Sequence, residues 1–182
     1  MFYEVKLKSH IRVPPNSFGL PIKESLLKEI KARYESYISK DIGIVVDIID
    51  VDDVGEGVIT PGDGAAYHHT IFRALVFRVD LQEVFIGKVR DITEFGAFIT
   101  LGPIEGMVHV SQTMDDFVSF AKEKVLQGKE SGRMLKVDDV VRARMIAISY
   151  KDMNNPKYGL TMRQNGLGKL DWSAEPAKAK GE

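Results

Sequence analysis

The chain has 182 residues, a hydrophobic fraction of 44%, no cysteine and a formal net charge of −1. That length suits one large domain or two small ones, with enough apolar residues to fill their cores. The absence of cysteine excludes a disulfide framework, a thiolate zinc site and a cysteine nucleophile, and fits a reducing cytosol. The near-zero charge excludes a general polycation for nucleic acid, so any RNA affinity is expected to be local and modest.

The N-terminal residues alternate and carry charge, unlike a signal peptide. No apolar run approaches the ~20 residues needed to span a membrane. A cytoplasmic protein without a membrane partner is therefore expected. From 3 to 13 the alternation is strict: Tyr3, Val5, Leu7, Ile11 and Val13 against Glu4, Lys6, Lys8, His10 and Arg12. This predicts a half-buried strand with one wet face, stopped by Pro14-Pro15. Pro21 opens a helix expected to run to about 39, with Ile22, Leu26, Leu27, Ile30, Tyr34 and Ile38 at helical spacing. A second strand is expected over 42–51, leaving by a bend at 52–57. Gly55, Gly57, Val58, Ile59, Pro61, Gly62, Asp63 and Gly64 then read as a shaped, apolar, glycine-rich loop. A third strand covers 70–79, with Phe72, Ala74 and Val76 on one face. Residues 1–80 thus read as a small α+β unit.

A second unit is expected over 81–172. Three strands cover 83–111. In the second of them Ala97, Ile99 and Leu101 share one face, while Gly96, Phe98 and Thr100 share the other. In the third, Val108 and Val110 oppose Met107, His109 and Ser111. Turning the apolar sets inward leaves Phe98 and His109 outside, with Phe95 at the turn. Residues 115–126 show helical spacing of Phe117, Phe120, Ala121 and Val125. Strands follow over 140–149, with Val141, Ala143, Met145 and Ala147 apolar, and over 158–163. Five strands with a helix between the third and fourth make the OB arrangement. The tail from 173 lacks apolar anchors and is expected to be disordered.

Packing is the ordinary role of a Phe pair, since most Phe is buried. Alternation assigns Ala97 and Ile99 to the core, leaves Phe98 over and favours RNA stacking, with Lys88, Arg90, Lys157 and Arg163 available for phosphates. An apolar patch for protein contact is the alternative. His68 and His69 are neighbours on a strand and point to opposite faces, so they read as ordinary histidines. The acidic runs Asp50-Val51-Asp52-Asp53 and Asp138-Asp139 do not follow EF-hand spacing and read as solvated turns. Gly62-Asp63-Gly64 lacks the Gly-Lys-Ser/Thr of a phosphate loop and reads as a protein-docking element. No nucleophile, metal or cofactor constellation appears, so no catalytic site, metal or cofactor is expected.

The run Gly87-Lys88-Val89-Arg90-Asp91-Ile92-Thr93-Glu94-Phe95-Gly96-Ala97-Phe98-Ile99 with Gly106-Met107-Val108-His109-Val110-Ser111 resembles the S1 class of the OB-fold, an RNA-binding module. Almost the whole chain resembles the family of the E-prime stalk subunit of archaeal RNA polymerase, counterpart of the seventh subunit of eukaryotic RNA polymerase II. The specific segments are Phe2-Tyr3 with the first strand, Asp53-Val54-Gly55-Glu56-Gly57-Val58-Ile59-Thr60-Pro61-Gly62-Asp63-Gly64, and Phe72-Arg73-Ala74-Leu75-Val76-Phe77-Arg78. The resemblance implies an α+β protein: a truncated ribonucleoprotein-like tip domain followed by a five-stranded OB (S1) barrel. It implies a heterodimer with a smaller helical partner, the F subunit of the polymerase, the two together forming the stalk. It also implies docking of the tip domain on the polymerase core beside the clamp, and contact of the barrel with single-stranded nascent RNA. Family members have no catalytic site of their own. A free S1-type factor acting in translation or RNA decay is the alternative function. The chain departs from a simple S1 pattern in its long connection over 113–137 and its enlarged turn over 150–156. Around that turn Lys157 takes the basic position of the S1 pattern, with Asp152 the candidate acidic partner.

Overall fold

A computed structural model describes residues 1–121, 123–152 and 155–174. It divides the chain into two units, Met1–Arg78 and Val79–Glu182. The first comprises β1 (Phe2–Val13), α1 (Ile22–Tyr34), β2 (Ile38–Ser39), β3 (Gly43–Ile59) and β4 (Ala66–Phe77). Its strands form an antiparallel sheet ordered β1-β4-β3-β2. Helix α1 lays Leu26 and Ile30 on one face of this sheet, against Ile11, Val13, Val45, Ile48, Val51, Phe72, Ala74 and Val76. Burying one face of a sheet under an amphipathic helix is what gives so small a unit its core. The helix is pinned near its start by buried Ser25, whose hydroxyl donates to the Ser17 carbonyl at 2.8 Å.

The helix ends at Tyr34, well short of 39. Glu35 is extended and Ser36 has φ 63°, so the backbone leaves the helical region there. Ile38 and Ser39 pair with Ile44 and Gly43 instead. Strand β3 also corrects the expected bend at 52–57. It continues to Ile59, absorbing register shifts between Val45 and Asp47, Ile48 and Asp50, Val51 and Asp53, and Val54 and Gly57. Each bulge adds a residue, so the buried positions 45, 48 and 51 recur every third residue rather than every second. An aspartate follows each of the first bulges. Asp47 Oδ1 accepts from the Ile48 amide at 2.7 Å, and Asp50 Oδ1 from the Val51 amide at 2.8 Å. The acidic run is therefore part of a bulged strand, not a turn at a strand exit.

The second unit comprises β5 (Val84–Thr93), β6 (Gly96–Leu101), β7 (Ile104–His109), β8 (Val118–Ala121), β9 (Val125–Gly128), β10 (Met134–Lys136), β11 (Val140–Ser149), β12 (Lys157–Thr161) and β13 (Gly168–Lys169). Strands β7, β6, β5 and β11 are antiparallel neighbours, β12 pairs antiparallel with β11 and parallel with β7, and the sheet closes. This is the five-stranded OB barrel, with Ala97, Ile99, Leu101, Val108, Val141, Ala143 and Met145 buried inside. Ala147 is exposed, because a register shift between Met145 and Ala147 breaks the expected apolar face of β11.

The helix expected over 115–126 is replaced by a separate sheet of β8, β9 and β10. Phe117 and Phe120, which suggested a buried helical stripe, are exposed. Val125, Leu126 and Leu135 are buried instead. The sheet is fastened by Asp116, which accepts from the amides of Phe117, Glu130 and Ser131 and from the Ser131 hydroxyl at 2.6–3.2 Å. These donors hold its carboxyl below the usual aspartate range, the Ser131 amide most of all. Beyond β13, Leu170–Ala174 make a short helical turn, and the tail expected from 173 lies outside the described residues from 175 on. So does part of the turn over 150–156. Among the described residues no helix is long and apolar enough to cross a membrane.

Candidate nucleic-acid interface and docking hairpin

The outer surface of β5, β6 and β7 gathers the aromatic residues singled out in the sequence. A bulge between Val89 and Asp91 resets β5 so that Asp91 faces Phe98, and its Oδ1 accepts from the Ile92 amide at 2.9 Å. Phe98 is half-buried, with Asp91 opposite it on β5 and Met107 opposite it on β7. His109 stands opposite Gly96. A Cβ on Gly96, at φ 150°, would lie 2.0 Å from the Val108 carbonyl oxygen, so only glycine lets β6 and β7 close up beneath the aromatics. Phe95 occupies the turn and is 63% exposed, while its carbonyl accepts from the Val110 amide at 2.8 Å. The His109 ring is oriented by Nδ1, which lies 2.9 Å from the Ser111 hydroxyl and accepts from the Ser111 amide. Phe95, Phe98 and His109 thus lie together on the outer side of β6 and β7, where their flat side chains can stack with a flat ligand.

The candidate phosphate contacts are more constrained than the sequence suggested. Lys88 pairs with Asp138 at 2.8 Å, Arg90 with Glu105 at 2.7 Å, and Arg163 with Asp115 at 2.9 Å. Lys157 is exposed at the start of β12. Arg163 borders a cleft of about 450 Å³ with Ser111, Asp115, Asp116, Phe117 and Glu130, a setting more acidic than basic. One cation was missed: Lys124, in the β8–β9 turn, places Nζ 2.7 Å from Asp91 Oδ1, beside Phe98. Reading 115–126 as a helix hid it. Its φ of 54° marks a tight turn, and the Ala121 carbonyl accepts from its amide.

The glycine-rich segment is a hairpin, not a free loop. Gly55, Gly57, Val58 and Ile59 lie in β3, and only 60–65 are turn. His68 folds over Gly57, and its Nδ1 lies 3.0 Å from the Gly55 carbonyl oxygen in the bulge. Val58 and Ile59 are 65% and 62% exposed at the end of the strand. Pro61, Gly62 and Asp63 form the turn itself; Gly62 and Gly64 have φ of 92° and 68°. Asp63 Oδ1 and Oδ2 accept from Arg12 at 2.6 and 2.9 Å, and Oδ2 accepts from the Tyr67 hydroxyl at 2.6 Å. The hydrogen bond from Arg12 chiefly holds the Asp63 carboxyl down to about 2. On the same sheet face His10 and His69 stand opposite one another with ring centroids 5.3 Å apart. Among the described residues no group of three metal-ligating side chains assembles.

Two family models match the chain. The SHS2 domain found in N terminus of Rpb7p/Rpc25p/MJ0397 matches residues 8–64, and the S1 RNA binding domain matches residues 78–151. DNA-directed RNA polymerase subunit Rpo7 of Saccharolobus solfataricus is 37% identical over 180 residues, spanning 98% of this chain and 100% of its own length. The Rpo7 protein of Sulfolobus acidocaldarius is 37% identical over 181 residues, spanning 98% and 99%. DNA-directed RNA polymerase III subunit rpc8 of Schizosaccharomyces pombe is 34% identical over 101 residues, spanning 56% and 50%.

Proposed function

The chain belongs to the Rpo7/Rpb7 family of DNA-directed RNA polymerase subunits, and from that premise we propose that it is a non-catalytic subunit that joins the polymerase to its transcript. In this reading it forms a heterodimer with the smaller helical partner, the polymerase's F subunit. The β3–β4 hairpin of the first unit docks on the polymerase core beside the clamp. The S1 barrel contacts single-stranded nascent RNA through Phe95, Phe98 and His109, with exposed Lys157 toward phosphates and Lys88 and Arg163 kept in their ion pairs with Asp138 and Asp115. Nucleotidyl transfer belongs to other subunits. The work of this chain is binding and orientation.

The observation that carries the RNA role is the common placement of Phe95, Phe98 and His109 on the outer side of a closed barrel. Aromatic faces accept any base, so little sequence preference is expected. The docking role rests on two adjacent aliphatic side chains, Val58 and Ile59, held out at a hairpin end. The partner role rests on β1 and β2 as open sheet edges. The test is reconstitution. Adding the helical partner raises the melting temperature of the chain, since a ligand at about 100 times its Kd adds about 2.7 kcal/mol. The heterodimer then binds both core polymerase and single-stranded RNA. A chain that binds RNA but neither the helical partner nor core polymerase would instead be a free S1-type factor.

A further inference from the structure

The turn between β3 and β4 is tied to β1, the edge strand beside β4. Arg12 stands near the end of β1, directly opposite Tyr67 on β4, and both reach Asp63 in the turn. The guanidinium meets the carboxylate as a fork, one nitrogen to each oxygen, the geometry that most restricts both groups. Asp63 sits between Gly62 and Gly64, both at positive φ, where the backbone by itself has the most freedom to lose. The Asp63 carboxyl, held at about 2, stays ionised across the physiological range, so the contact does not open with pH there. From 57 to 66 Asp63 is the only ionisable residue, and Arg12 compensates its charge. The tip exposes residues 57–64, in which Val58 and Ile59 are the large aliphatic side chains, with no net charge once Arg12 is counted.

We propose that Arg12, Asp63 and Tyr67 form a clasp that presets the hairpin tip, so that it enters an apolar groove on the polymerase core as a formed, charge-compensated aliphatic finger. The three are positioning residues, and the proposal rests on the docking role given above. Ordering a glycine-rich turn during association costs affinity, and a turn already ordered avoids that cost. A compensated tip also makes docking nearly insensitive to salt, unlike a charged contact.

The experiment titrates labelled heterodimer onto core polymerase isolated without it, at low and high salt, alongside hydrogen exchange of residues 60–65 and thermal unfolding. Arg12→Ala and Asp63→Asn are expected to speed exchange in the turn and weaken docking about tenfold. The melting temperature should hardly change, and Tyr67→Phe should have a smaller effect. The exchanged pair Arg12→Asp with Asp63→Arg should recover most of the affinity. Unchanged exchange in the two single variants would mean that there is no clasp. Faster exchange with unchanged affinity would mean that docking does not need a preset turn. Either result overturns the proposal. Should Arg12→Ala lower the melting temperature, the isosteric Asp63→Asn and Tyr67→Phe decide. Val58→Asp with Ile59→Asp separates the two readings: if that variant docks normally, the docking role itself is wrong.

Discussion

Phe98→Ala is the most direct probe of the barrel face. Loss of one base stack costs about 1–3 kcal/mol, or roughly 5- to 150-fold in Kd. The lower half of that range is expected, because Phe98 is half-buried and offers only part of its ring beside Asp91 and Met107. Phe95, more exposed, should cost at least as much when replaced by Ala. Removing the cross-strand contact with Met107 also lowers stability by about 1 kcal/mol, so binding must be measured well below the unfolding transition. The assay is fluorescence anisotropy of a short labelled single-stranded RNA with the heterodimer, over a salt series. The ion pairs set the salt term. Lys88, Arg90, Lys124 and Arg163 all carry carboxylates at 2.7–2.9 Å. If those pairs persist, Lys157 alone releases counterions and the slope of log K against log salt is about −0.7. If RNA opens all four pairs, those cations alone give a slope of about −2.8. We expect the shallow slope, flattened further by Lys157→Ala and hardly changed by Arg163→Ala. An unchanged RNA affinity in Phe98→Ala, with loss of the heterodimer, would make this face a protein interface and refute the stacking argument.

Three other outcomes follow from the packing. Ile48→Ala, between two bulges and fully enclosed, should cost about 2–5 kcal/mol in denaturant unfolding followed by a probe in the first unit. Gly62→Val with Gly64→Val imposes side chains on backbone at positive φ, at about 1–2 kcal/mol each. It should weaken assembly into polymerase while the S1 barrel keeps its melting transition; normal assembly would count against docking by the hairpin. Asp116 has a lowered folded-state pKa, so its stabilisation of the β8–β10 sheet is complete above the ordinary carboxylate range and fades as pH falls through the depressed value. Hydrogen exchange over 125–136 should therefore be slower in the wild type than in Asp116→Asn at neutral pH, and the two should converge in acid.

Much of the candidate site was legible because it lies where side-chain direction follows chain periodicity. Alternation in β6 assigned Ala97, Ile99 and Leu101 inward and Phe98 outward, and no tertiary contact reversed it. Strand β1 and the apolar stripe of α1 followed the same logic. Three things were decided only by tertiary structure. Bulges in β3 changed its period, so Val54 to Ile59 continued a strand that alternation would have ended; the recurring Asp47, Asp50 and Asp53 were the local trace of it. Segment 115–126 had helical spacing, yet hairpin pairing of β8 with β9 and of β9 with β10, and the donors gathered on Asp116, favoured strands; both structures satisfy the backbone locally, so the spacing of apolar residues alone did not choose between them. The pairing of charges was invisible too: Arg12 with Asp63, Arg163 with Asp115 and Lys124 with Asp91 are separated by 33 to 51 positions. Periodicity tells which way a side chain points, but only the folded chain determines which distant charge it meets.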